Sequence, residues 1–118
     1  MAAPRLPLAH GNRPPRDPVS ITYLEAIREA QTRALRENPD VFIYGQDIAQ
    51  FGGAFKATKH LARDFPGRVL DSPISEDAMM GFAIGAAIEG MRPIVEMQFA
   101  DFSSIAFNQI VNQAATHF

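Results

Sequence analysis

Residues 71–85 read DSPISEDAMMGFAIG, with two acids, Glu76 and Asp77, at the head of a small, apolar run of helical length. Folding alone gives a carboxylate a modest role there, since the helix dipole favours a first-turn acid by ~0.3–1 kcal/mol. Asp77 fits that role as well as Glu76 does. A carboxyl kept from bulk water can do more. Full burial raises the proton affinity of such a group by up to ~3–5 pK units, enough to let it hold and pass a proton near neutrality. Four further polar residues could join it: Gln46, Asp47, Gln98 and Asp101. Each falls in or just after a segment that the pattern makes the end of a strand.

The elements that must position these groups are readable in order. Thr22-Tyr23-Leu24-Glu25 is a capping box, followed by Ile27, Ala30 and Ala34 on one helical face and stopped by Asn38-Pro39-Asp40. Val41 to Gly45 is a continuous apolar run, as a strand covered on both faces requires. Gln46 to Phe55 is a loop carrying Gly52-Gly53, and a short helix is expected around Ala57 to Asp64. A brief strand follows the Pro66-Gly67 turn over Arg68 to Leu70. A second long helix is expected from Glu76 to Glu89, closed by Gly90 at C′, and a strand from Pro93 to Gln98. A last helix, from about Ser103, would carry Phe107, Ile110, Val111 and Ala114 on one face. Alternating helices and short apolar strands predict an α/β fold, a parallel sheet with helices on both faces. In such sheets ligands gather beyond the carboxyl ends of the strands. Gln46, Ser72 to Glu76 and Gln98 to Phe102 all lie there.

Composition removes several classes of function. With 118 residues the chain holds one compact domain, and its 47% apolar and 20% charged shares are those of a globular protein. A formal net charge of −2 gives no basis for nucleic acid or an anionic membrane as partner. The absence of cysteine excludes a disulfide framework and a thiol nucleophile. His10, His60 and His117 are too scattered for a metal site, and no metal is expected on this chain. Neither GxGxxG nor GxxxxGK[ST] is present. The first nineteen residues hold five of the nine prolines and are read as an extended or disordered arm, leaving 20–118 as the folded part. Prolines at that density forbid an amphipathic transit helix, so a cytoplasmic location is expected.

Five segments resemble, in order and spacing, the β subunit of the thiamine-dependent decarboxylating component of 2-oxoacid dehydrogenase complexes. They are ITYLEAIREA, VFIYGQDIAQFGGAFKAT, RVLDSPISE, GFAIGAAIEGMRPIVE and QFADFSSIAFNQIVNQAA, spanning about residues 20 to 117. Gln-Phe-Ala-Asp is closer to the branched-chain members, whereas Phe102 is closer to the pyruvate members. The resemblance implies a partial transketolase-like pyrimidine-binding fold and thiamine diphosphate as cofactor. It implies that Glu76 is catalytic, sharing a proton with N1′ of the aminopyrimidine ring. It further implies that Ile74 lies against that ring, that Gln98 hydrogen-bonds it and that Phe102 stacks on it. A 2-oxoacid would lose CO₂, and the acyl group would pass to a lipoyl-bearing acyltransferase. By the same resemblance, an α subunit holds the diphosphate and Mg²⁺, and a second β subunit completes a heterotetramer.

Two features depart from the family pattern. Gln46 stands where an acid is usual, keeping size and hydrogen bonding but not charge. The chain also stops before the family's domain does, so a fragment, truncated product or split chain, inactive by itself, is expected. Gly81 and Gly85 within a helix cost roughly 1 kcal/mol each against alanine, which points to close backbone approach, either within the domain or at a subunit interface. Two alternatives remain open: another transketolase-like enzyme subunit, and a binding module without activity.

Overall fold

A computed structural model describes residues 20–117. The extended arm expected over 1–19 lies outside the described residues. The first helix, α1 (Tyr23–Glu37), begins at the expected capping box. Thr22 Oγ1 accepts from the Glu25 backbone N–H at 3.2 Å, and the Glu25 carboxylate accepts from the Thr22 N–H at 2.7 Å. Of α1, only Leu35 is fully buried; Ala30, expected on the inner face, is exposed.

Strand β1 (Val41–Gly45) forms the centre of a three-stranded sheet in the order β2-β1-β3, with both pairings parallel. Its neighbours are β2 (Val69–Asp71) and β3 (Arg92–Glu96). Because alternate side chains of a strand face opposite ways, β1 serves two layers. Val41 and Ile43 join Leu35 of α1, Leu61 of α2 (Leu61–Asp64), Ile48 and Val69 in one buried cluster. On the other face Phe42 and Tyr44 meet the ring of Phe82 on α3 (Glu76–Ile88), at centroid distances of 6.2 and 4.7 Å. The α/β architecture with helices on both faces is therefore as the alternation predicts. Among the described residues no helix is long and apolar enough to cross a membrane.

Two elements differ from expectation. The short helix begins at Leu61 rather than Ala57, because residues 54–60 form turns in which Lys56 and His60 adopt left-handed backbone (φ 65° and 73°). The last helix is broken in two. Residues Ala100–Ser104 form a 3-10 helix, in which the hydroxyls of Ser103 and Ser104 bond the carbonyls three residues back. Such bonds compete with the α-helical ladder. Gln109–Ala114 then forms a π-helix, with the Ala115 N–H reaching the Ile110 carbonyl at 3.1 Å. Phe107 and Val111, expected on the inner face, are exposed, and Ala106 is buried.

The sheet ends in register. Gly45 stands opposite Asp71 on one side and Glu96 on the other. A methyl group at Gly45 would come 2.8 Å from the Glu96 backbone oxygen and 3.2 Å from Ile48. Such contacts force backbone shifts costing about 1–3 kcal/mol. Gly45→Ala is expected to lower the unfolding free energy by an amount in that range, seen as a lower urea midpoint; an unchanged midpoint would show that the strand ends are not tightly packed.

Candidate functional site at the carboxyl edge of the sheet

Three chain segments leave the sheet at its carboxyl edge, and each delivers one polar side chain. Gln46 follows β1 directly and is buried, with 6% of its surface exposed. Ser72 follows β2, and its N–H donates to the Gly45 carbonyl at 2.8 Å, holding the 72–76 segment against the end of β1. That segment ends at Glu76, the first residue of α3. Gln98 lies two residues beyond β3.

These three residues form one network. The Gln46 amide nitrogen Nε2 donates to Glu76 Oε1 at 3.2 Å, and Gln98 Nε2 approaches the Gln46 carbonyl at 3.4 Å. The half-buried Glu76 carboxyl is thus held through one oxygen by a neutral donor. Gln46 is therefore more than a replacement for an acid. A carboxylate in its place would repel Glu76, whereas the amide fixes it. Asp77, by contrast, accepts from Gln109 Nε2 at 3.0 Å, so the two neighbouring acids have separate tasks. Asp77 anchors the chain's last helical segment, and Glu76 faces the network.

The apolar residues implied for the site are less closely assembled. Phe102 is half-buried and meets Phe99 edge-on at 5.5 Å, and Phe99 in turn meets Phe55 at 5.6 Å. Ile74, two residues before Glu76, is 84% exposed. Gly81 faces the Gln109 side chain within the chain, whereas Gly85 has open space before it. A carboxyl, a carboxamide and uncovered apolar side chains are the donor set that an aminopyrimidine ring calls for: polar groups for its edge and apolar groups for its faces. The residues fit such a ring. A separate cavity of about 730 Å³ includes Lys56, Lys59 and Arg63 in its wall and none of these site residues.

One further acid escaped the sequence reading. Glu96 ends β3, half-buried, with Oε2 enclosed and without a hydrogen-bond partner among the described residues. A Cβ at Gly53 (φ 79°) would stand 2.6 Å from Glu96 Oε1, so that glycine makes room for the carboxyl. The available signal was an acid inside the apolar run Pro93 to Met97, directly opposite Gly45.

Residues 19–118 match the model of the transketolase pyrimidine-binding domain, and the chain belongs to that family. Among curated relatives, it is 50% identical over 96 residues to the mitochondrial 2-oxoisovalerate dehydrogenase subunit beta of Chaetomium thermophilum, covering 80% of this chain and 20% of that protein. It is 47% identical over 96 residues to the 2-oxoisovalerate dehydrogenase subunit beta of Bacillus subtilis, covering 80% and 29%. It is 42% identical over 97 residues to the pyruvate dehydrogenase E1 component subunit beta of Rhizobium meliloti, covering 81% and 21%. The chain thus spans less than a third of the length of each of these relatives.

Burial raises the proton affinity of Glu96 above the ordinary glutamate value of 4.5. A carboxyl raised in the folded state contributes stability below its unfolded pKa, and that contribution is lost as pH rises through the folded value. Stability should therefore fall as pH rises upward from about 4.5. Glu96→Gln should flatten that fall and raise the denaturant midpoint at neutral pH. Parallel stability–pH curves for parent and variant would contradict the assignment.

Proposed function

We propose that this chain is the N-terminal part of the β subunit of a 2-oxoacid dehydrogenase, and that its carboxyl-edge network receives the aminopyrimidine of thiamine diphosphate. The observation that carries the reading is the Gln46–Glu76 hydrogen bond at the carboxyl edge of the sheet, in a pyrimidine-binding-domain family member. Its likeness to subunits of both branched-chain and pyruvate dehydrogenases supports a 2-oxoacid as substrate class.

Each residue has a task derived from its place. Gln46, buried and donating to Oε1, fixes the carboxyl orientation and leaves Oε2 to hold a proton toward a ring nitrogen. Gln98 steadies Gln46 through its carbonyl and keeps its own amide oxygen for a ring amino group. Ile74 and Phe102 supply apolar surface that excludes water once a ring covers them. When bound, thiamine diphosphate supplies the electron sink for loss of CO₂. An α subunit carrying the diphosphate and Mg²⁺, a second β subunit in a heterotetramer and a lipoyl-bearing acyltransferase complete the proposed assembly. The exposed Ile74 and the open face at Gly85 are where such partners could provide cover.

The test uses a full-length β subunit containing residues 20–118, reconstituted with its α subunit. Glu76→Gln keeps the shape and most cofactor affinity, measured by titration calorimetry. It should lose about 10²–10⁴-fold in decarboxylation, the usual worth of a positioned acid–base group. Near-normal turnover would remove Glu76 from the chemistry.

A further inference from the structure

The last helical segment is tied to the head of α3 through one side chain. Gln109, half-buried, donates from Nε2 to Asp77 Oδ2 at 3.0 Å. Asp77 and Gly81 stand four residues apart on α3, and therefore on one face of it. A methyl group at Gly81 would come 3.2 Å from Gln109 Oε1, 3.3 Å from its Cδ and 3.8 Å from its Nε2. All three atoms belong to the carboxamide, so that group lies against the Gly81 backbone while its nitrogen reaches the acid. Alanine is the better helix former at such a position, yet its methyl group would crowd the amide off this seat. Asp77 and Gly81 together make a fitted seat for one carboxamide.

The seat holds the stretch that carries Phe102. Short-range hydrogen bonds run along that stretch. The Phe102 N–H donates to the Phe99 carbonyl at 3.1 Å, the Ile105 N–H to the Phe102 carbonyl at 3.1 Å, and the Ile110 N–H to the Ala106 carbonyl at 3.2 Å. The Ser103 and Ser104 hydroxyls bond the carbonyls of Ala100 and Asp101. Ala106, between Phe102 and Gln109, is fully buried. A stretch bonded in this way shifts as a piece when one of its anchors is lost. Its other anchor is aromatic, the edge-on contact of Phe102 with Phe99 at 5.5 Å. Two adjacent acids at the head of α3 thus each accept from a carboxamide of a different segment: Glu76 from Gln46 and Asp77 from Gln109.

We infer that Asp77, Gly81 and Gln109 are positioning residues that set Phe102 relative to Glu76, so that an apolar face and a proton-holding carboxyl meet one ring together. The inference rests on the proposed place of Phe102 against the aminopyrimidine ring. Asp77 acts only through Gln109, and Gly81 only by leaving room for it.

The test uses a full-length β subunit containing residues 20–118, reconstituted with its α subunit, and reads the dissociation constant of thiamine diphosphate by titration calorimetry. Gln109→Ala and Phe102→Ala should each weaken binding about tenfold, the worth of one aromatic contact. Combined, they should weaken it no more than Phe102→Ala alone, because a ring that is gone cannot be misplaced. Gln109→Glu sets two carboxylates face to face and should weaken binding to a similar extent. Adding Asp77→Asn should restore it, since donor and acceptor then exchange sides. Losses that multiply in the Gln109–Phe102 pair would overturn the inference. Weak binding by Phe102→Ala beside normal binding by Gln109→Ala would overturn it alone and leave the role of Phe102 standing. Normal binding by Phe102→Ala would overturn that role and this inference with it. A Gln109→Glu defect that Asp77→Asn does not repair would remove Asp77 as the partner. If Gln109→Ala does not assemble, the exchange between positions 77 and 109 decides.

Discussion

The hydrogen bond from Gln46 to Glu76 is the contact on which the rest of the site depends. It joins the residue after the central strand to the first residue of α3, so the sheet itself dictates where the carboxyl stands. A surface glutamate would sample many rotamers. Here one oxygen is tied to an amide that is itself buried, and whose backbone carbonyl meets Gln98. The parallel register makes this possible: Gly45, Asp71 and Glu96 end their strands side by side, and three connecting segments emerge together. A neutral donor orients a carboxyl without neutralising it through a salt bridge. That suits the proton exchange proposed for Glu76.

Much of this arrangement was legible in the residues. The capping box at Thr22 and the uniformly apolar β1 follow from local chemistry and appear where expected. So does the helix opening at Glu76. The failures have physical causes. Ser103 and Ser104 bond backbone carbonyls and tighten a turn that the apolar spacing alone makes an α-helix. Gln46 reads in sequence as a lost charge that keeps hydrogen bonding, and its burial and its partner show where that bond goes. Glu96 reads as one more strand residue, because burial of its carboxyl depends on Gly53, forty-three positions earlier in the chain. Long-range partners of this kind leave no periodicity to read.

The surface is unfinished in a patterned way. Ile74 near Glu76, Tyr23 at the start of α1, Phe55 in the turns before α2, and Phe107 and Val111 in the last helical segment are all large, apolar and exposed. Among the described residues they surround a small three-stranded sheet in the order β2-β1-β3. Exposed apolar groups in such number fit a chain that spans less than a third of the length of its relatives. The polar group near Ile74 is specific: the Glu76 carboxyl is held by Gln46. It therefore constrains the chemistry of what can cover it.

One measurement bears most directly on the central claim: a crystal structure of the assembled α and β subunits with thiamine diphosphate bound. A Glu76 carboxyl oxygen within about 3.2 Å of the pyrimidine N1′, with Gln46 still donating to the other oxygen, is the result expected. A Glu76 side chain turned to bulk water, with the ring held by other residues, would contradict the account.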